Sequence, residues 1–212
     1  MSARAGLTRE RLISTALTIV DRDGLDALSM RRLGAELGVD PMAAYRHIPN
    51  KEALLDGVVE AVISQVDLTT DPETSWQGQV RQMMHAYVTA LLAHPNALPL
   101  VAERPWKTPG SLLVLEHALQ VITGAGASLH DALIAVNAVG FFTSGLAIAA
   151  GAQSRDPYVE SEQVKDLMSL PADRFPAIHE VIRSDQVVRG YDEVIDFAVE
   201  AIIMRVGQTI RH

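Results

Sequence analysis

The chain has 212 residues, 48% of them hydrophobic and 21% charged, with a formal net charge of −8. This is a globular rather than a disordered composition, long enough for one large domain or a small domain fused to a larger one. Cysteine is absent and aromatics make up only 5%, which excludes a disulfide framework or a Cys-ligated metal site and leaves the core to Leu, Val, Ile and Ala.

The net charge hides an asymmetry. Residues 1–51 hold eight Lys/Arg against six Asp/Glu, whereas 52–212 hold ten against twenty. A basic front on an acidic body suits a polyanionic partner at the front alone. The N-terminal MSARAGLTRERL has no apolar signal-peptide core, and with the lack of cysteine this fits a cytoplasmic protein.

Taken in chain order, almost every periodic segment reads as helix. Thr8 is a candidate cap for a first helix with Leu12, Ile13, Ala16, Leu17 and Val20 on one face, closed by Gly24. Ser29 caps a second carrying Leu33 and Leu37, closed by Gly38. Asp40-Pro41 opens a third of about eight residues, and Asn50 a fourth that runs to about Gln65. The polar stretch Asp67 to Ser75 reads as a link. Longer helices are predicted at roughly 75–94, 108–123, 128–152 and 192–210, with Thr108-Pro109 and Ser128 as starts. The less regular 153–191, with Pro157, Pro171 and Pro176, is expected to hold a mobile loop and one or two short helices. No strand alternation persists, so the expected fold class is all-α.

Residues 132–154 carry no charged side chain. Their length suffices to span a membrane, but Asn137, Thr143, Ser144, Gln153 and many Ala and Gly favour a helix buried on several sides, against the core on one face and a partner subunit on another. Small residues at Ala135, Ala138, Gly145 and Ala149 would admit a close partner helix.

Two short helices joined through Gly38-Val39-Asp40 describe a helix-turn-helix, whose second helix enters the DNA major groove with its N-terminal residues nearest the bases. The bare start PMAA fits that task. Pro41, Met42 and Ala43 let the backbone approach, and Met42 and Ala43 can meet thymine methyl groups. Tyr45, Arg46, His47 and Lys51 are assigned to phosphates, beside the N-terminus of the fourth helix. Arg31 is assigned to a base, guanine by the fit of its fork, and Arg32 to phosphate or solvent. Each has a plainer rival: packing for Tyr45, a satisfied core position for His47, solvent for Arg46, and an ion pair with Glu36 or Asp26 for Arg31.

Enzymatic motifs are missing. There is no G-x-S-x-G, no H-E-x-x-H and no phosphate loop, and no two histidines pair at ligand spacing on one helix. An enzyme with an accessory helical domain is therefore the weakest reading, and a ligand-blind DNA-binding or protein-binding dimer is the nearer alternative. No cofactor and no metal are expected.

Residues 7–59, LTRERLISTALTIVDRDGLDALSMRRLGAELGVDPMAAYRHIPNKEALLDGVV, resemble the tetracycline repressor (TetR) family. The diagnostic parts are DGLDALSMRRLGAELGV, then Tyr45, His47 and Asn50-Lys51-Glu52-Ala53-Leu54-Leu55. The body is similar, more loosely, to that family's C-terminal domain in SWQGQVRQMMHAYVTALLAHP, in ERP at 103–105 and in GASLHDALIAVNAVGFFTSG at 126–145. The resemblance implies an all-helical fold divided as 1–51, a DNA-binding domain, and 52–212, a ligand-binding and dimerising domain, with the helix from about 50 to 65 linking them. It implies a homodimeric repressor released from operator DNA by a small molecule, with the helices at about 128–152 and 192–210 forming a four-helix bundle across the two-fold axis. Where drug-sensing members hold magnesium through a histidine and an acidic residue, the matching positions here are Leu100 and Ala149, so a metal-free, largely apolar effector is expected. Candidate pocket residues are Met83, Tyr87, Leu100, Arg104, Leu119, Leu133, Asn137 and Phe141, with Tyr87, Arg104 and Asn137 as polar anchors and ordinary core packing as the alternative for each.

Overall fold

Local capping chemistry starts most of the helices. In the computed structural model, which describes residues 7–71, 73–152, 161–184 and 191–210, with side chains left undescribed at 147–152, 161–164 and 191–192, Thr8 caps α1 (Arg9–Asp23) and Ser29 caps α2 (Met30–Leu37). Asp40 accepts from the Met42 N–H at 2.7 Å to start α3 (Pro41–Ala44). Asn50 accepts from Ala53 N–H at 2.8 Å to start α4 (Lys51–Ile63). Each side-chain oxygen satisfies a backbone donor that the first helical turn leaves free.

The body continues with α5 (Trp76–Leu92), a 3₁₀ turn at Pro95–Ala97, α6 (Leu98–Glu103), α7 (Pro109–Gly124), α8 (Leu129–Ala152), α9 (Ser161–Met168), α10 (Pro176–Arg183) and α11 (Tyr191–Ile210). Thr108 and Ser111 form a reciprocal capping box on α7. Ser128 accepts from the Asp131 N–H at the head of α8. No strand occurs among the described residues, so the fold is all-α. The loop expected within 153–191 falls on residues outside those described, as does the side chain of Ala149.

Two segments differ from the sequence expectation. Regular α3 has four residues, and Tyr45 to His47 continue it as a hydrogen-bonded turn, with His47 and Ile48 N–H both donating to the Ala44 carbonyl at 3.0 Å. Pro49 then blocks any further helix. The short α6 is an addition: Pro95 and Pro99 interrupt the apolar periodicity there, but both sit in the first turn of their element, where a missing N–H costs nothing.

Two apolar clusters organise the chain. The first joins Leu12, Ile19, Leu33, Ala44 and Ile48 to Leu54, Val58 and Val62 of α4, and reaches Leu91, Leu98, Leu100 and Val101 of α5 and α6. Packing thus runs without a break across residue 51. The second joins Val80, Met84 and Val88 of α5 to Ile122, Ala132, Val136, Ile195, Val199 and Ile203 of α7, α8 and α11. The α8 stretch Leu129–Leu146 is long and apolar enough to cross a membrane, and only 22% of it is buried in the single chain. Its core face packs on α5, α6, α7 and α11, while Leu129, Ile134 and Phe141 stay exposed.

Candidate nucleic-acid interface and ligand cavities

The unit formed by α2 and α3 is set by two glycines. Gly38 closes α2 in the left-handed region at φ 66°, a conformation that costs a side chain-bearing residue roughly 1–2 kcal/mol. Gly34 lies where α2 meets the turn. A Cβ there would stand 2.9 Å from the Val39 carbonyl oxygen and 3.2 Å from the Pro41 ring. Leu33, Ala44 and Ile48 are fully buried beneath the unit and hold α3 at a fixed angle to α2.

What remains outward is the set the sequence singles out. Met42 is 69% exposed, Tyr45, Arg46, His47 and Lys51 are exposed, and Pro41 and Ala43 are half-buried. His47 is therefore not a core histidine. Arg31 is exposed and enters no ion pair among the described residues, so the alternative pairing with Glu36 or Asp26 is not made. Arg32 is exposed as well, and it also enters an ion-pair network: its guanidinium meets Asp23 at 3.0 Å and Glu36 at 3.7 Å, and Arg22 meets the same two carboxylates at 2.9 and 3.1 Å. The cause is the i,i+4 spacing of Arg32 and Glu36 combined with the packing of α1 on α2, which only the fold brings together. The Arg22 hydrogen bonds hold both carboxyls below their usual range.

The body contains two adjoining cavities of about 60 and about 100 Å³ that share Tyr87, Trp106, Val114 and Gly140. The first is walled by apolar groups such as Met83, Met84 and Val136. The second adds Arg104, Asn137, Ser144 and Phe141, together with Val59 and Ile63 from α4. Burial pushes the Tyr87 phenol above its ordinary range. Trp106 sits at φ 58°, uncommon for a bulky residue, and lines both cavities.

Of the candidate pocket residues, Met83, Tyr87, Arg104, Asn137 and Phe141 line these cavities. Leu100 is buried in the first core cluster and Leu119 packs on the second. Leu133 is 43% exposed on the outer side of α8. Phe141, although at a cavity rim, is 77% exposed. The amide of Asn137 donates to the Leu133 carbonyl one turn back at 2.8 Å. Sequence reasoning missed Trp106, Val59 and Ile63. Trp106 follows the Arg-Pro pair in a segment without periodicity, and the α4 residues read as plain core.

Arg104 bridges the two regions. From the end of α6 it donates to Asp56 at 2.6 Å and to Glu52, both on α4, and the Glu52 hydrogen bond raises its pKa further above the ordinary arginine value. A second link runs from α4 to α7, where the Glu60 carboxylate accepts from the Gly110 N–H at 2.8 Å.

This arrangement has clear relatives. Residues 12–58 match the family described as bacterial regulatory proteins, tetR family, and residues 69–206 match the tetracyclin repressor-like C-terminal domain. An HTH-type transcriptional regulator of Saccharopolyspora erythraea is 32% identical over 139 residues, 66% of this chain and 59% of that protein, so the match spans about three-fifths of the relative. The tetracycline repressor protein class C of Escherichia coli is 31% identical over 173 residues, 81% of this chain and 77% of that protein. The crystal structure of the Streptomyces coelicolor TetR family protein ActR in complex with actinorhodin superposes with a TM-score of 0.81 at 27% identity, over 95% of this chain and 97% of that one. With both halves matched in order and the helix-turn-helix in place, the chain belongs to the tetR family of bacterial regulatory proteins, a family of DNA-binding transcriptional regulators.

Proposed function

We propose that the protein is a homodimeric repressor released from a near-palindromic operator by a small, largely apolar molecule. The observation that carries this reading is the double use of α4. Its start follows directly on the DNA-binding turn, and its Val59 and Ile63 form a wall of the second cavity. Drug-sized ligands fill pockets of about 300–1,000 Å³, more than either cavity provides. Such a ligand enters only by moving the walls, and one wall is α4. The ligand then favours one spacing of the two recognition helices over another, which is the condition for switching DNA affinity. A coupling of about 1–3 kcal/mol changes affinity some 5- to 150-fold.

The dimer reading rests on exposed apolar groups along α8 and α11: Leu129, Ile134 and Phe141 on one, Phe197 and Met204 on the other. Paired across a two-fold axis, these helices form a four-helix bundle and set two copies of α3 about 34 Å apart, in successive major grooves. ActR is a relative with actinorhodin in its crystal structure, and this supports a small-molecule effector here. A cytoplasmic location follows from DNA as the partner.

The test is selection of binding sites from random duplex DNA by the purified protein. Arg31→Ala is expected to relax one base-pair position at a cost of about 1–3 kcal/mol, and Tyr45→Phe to weaken all sites evenly. No enrichment over background at low salt sinks the reading.

A further inference from the structure

Arg104 is the one charged side chain on the walls of the two cavities among the described residues. The rest of the surround is apolar or neutral, from Met83 and Trp106 to Asn137 and Ser144. The Arg104 side chain is 13% exposed, so most of its length is shielded from water. Its two carboxylate partners, on α4, do not line either cavity, and they are wetter: the Glu52 side chain is 70% exposed and that of Asp56 41%.

That asymmetry decides which pairing can be exchanged. A carboxylate released from Arg104 returns to water at lower cost than the arginine would, because both carboxylates are more exposed than Arg104 is, Glu52 most of all. The arginine cannot leave, and it cannot lose its proton. It requires an acceptor, and one that arrives from the cavity side meets it in a drier place, where a charge-assisted hydrogen bond is stronger. A neutral ligand offers no such exchange. It can fill the apolar lobe but leaves Arg104 on Glu52 and Asp56.

We propose that the effector carries an acidic group on its apolar body, and that this anion acts by competing with Glu52 and Asp56 for the Arg104 guanidinium. The inference rests on the cavity being the effector site, as read above. It adds the ligand's charge and the bond that changes hands. Losing Arg104 frees the first turns of α4, the turns that follow directly on the DNA-binding unit. Because binding couplings are reciprocal, operator DNA in turn weakens binding of the anion.

A matched pair of fluorescent probes tests this on the full chain: anilinonaphthalene sulfonate, which is anionic, and N-phenylnaphthylamine, which has the same ring system without the charge. The quantity read is the ratio of their affinities. Wild-type protein is expected to prefer the anion by about tenfold or more, the effect of a charged hydrogen bond worth one decade in affinity. Arg104→Gln brings the ratio near one, and Arg104→Lys keeps part of it, which separates loss of charge from loss of folding. Glu52→Gln with Asp56→Asn raises the ratio, since the competitors are gone. Saturation with the selected operator duplex lowers wild-type affinity for the sulfonate by more than that for the neutral probe, and this difference disappears in Arg104→Gln. Equal affinities in wild type, or a preference that survives in Arg104→Gln, overturn the proposal. If both probes release operator alike, the effector-responsive repressor stands and the competition for Arg104 falls. If neither probe binds, the competition and the cavity assignment fall together, while the operator selection still decides the DNA-binding reading by itself.

Discussion

His94 Nδ1 lies 2.9 Å from the Asp21 carboxylate, tying the turn before α6 to the last part of α1. A carboxylate can only accept, so Nδ1 carries the hydrogen. Nε2 is then the acceptor for the Gln65 amide at 2.8 Å, whose other hydrogen goes to the Ala61 carbonyl at 3.0 Å. Asn96 adds a bond to the Asp21 carbonyl at 2.8 Å. The DNA-binding unit is thus pinned to the body at α1 as well as at α4.

That pin has a measurable strength. His94→Ala leaves the Asp21 carboxylate and the Gln65 amide without this partner in a partly buried place. It is expected to cost about 1–3 kcal/mol in urea unfolding, read as a lower midpoint at an unchanged slope. Asp21→Asn is expected to cost less, because its amide oxygen still accepts from Nδ1. Equal losses for the two variants would mean that the charge, and not the geometry, carries the contact.

The close approach at Gly34 gives a second prediction. Gly34→Ala puts a methyl group 2.9 Å from a backbone oxygen that cannot rotate away. The turn must shift, at about 1–3 kcal/mol, and α3 moves with it. Operator affinity is expected to fall by more than the loss of fold stability explains, checked by comparing anisotropy titrations with thermal melts under conditions where the protein stays folded. Unchanged operator affinity would show that α3 keeps its place without this contact.

Phe197 and Met204 lie seven residues apart on α11, 77% and 64% exposed, which places them on one helix face. Phe197→Glu with Met204→Glu puts charge into the expected bundle. Sedimentation is expected to find a monomer with intact helix content and lost affinity for a full operator. A variant that remains dimeric locates the interface elsewhere.

The Tyr87 phenol, raised by burial, predicts behaviour at alkaline pH. The unfolded chain ionises this group first, near pH ~10, and the folded chain only above that. Its contribution to stability is therefore complete below the unfolded value and is lost as pH rises through the folded one. Tyr87→Phe is expected to remove the late part of the tyrosinate absorbance titration and to reduce the alkaline loss of stability. An effector that fills the cavity delays the transition further in the wild-type protein.

Local chemistry made much of the first sixty residues legible. Thr8, Ser29, Asp40 and Asn50 cap helices because their side chains reach a donor two or three residues on, and Gly38 ends α2 because only the left-handed region turns the chain there. The outward position of Met42, Tyr45 and His47 follows from the same spacing, with Ala44 and Ile48 taking the buried places. Tertiary structure decided the matters that join distant residues. Arg32 is held by Asp23 across two helices, and Arg104 by residues 48 and 52 positions earlier. Val59 and Ile63 become cavity wall because α5, α6 and α8 leave a gap beside them. Leu133 and Phe141 face outward because the core side of α8 is already taken by Ala132, Ala135 and Val136. Hydrophobicity along a helix tells that a face must be covered; which neighbour covers it depends on packing, and packing is not a local property of the chain.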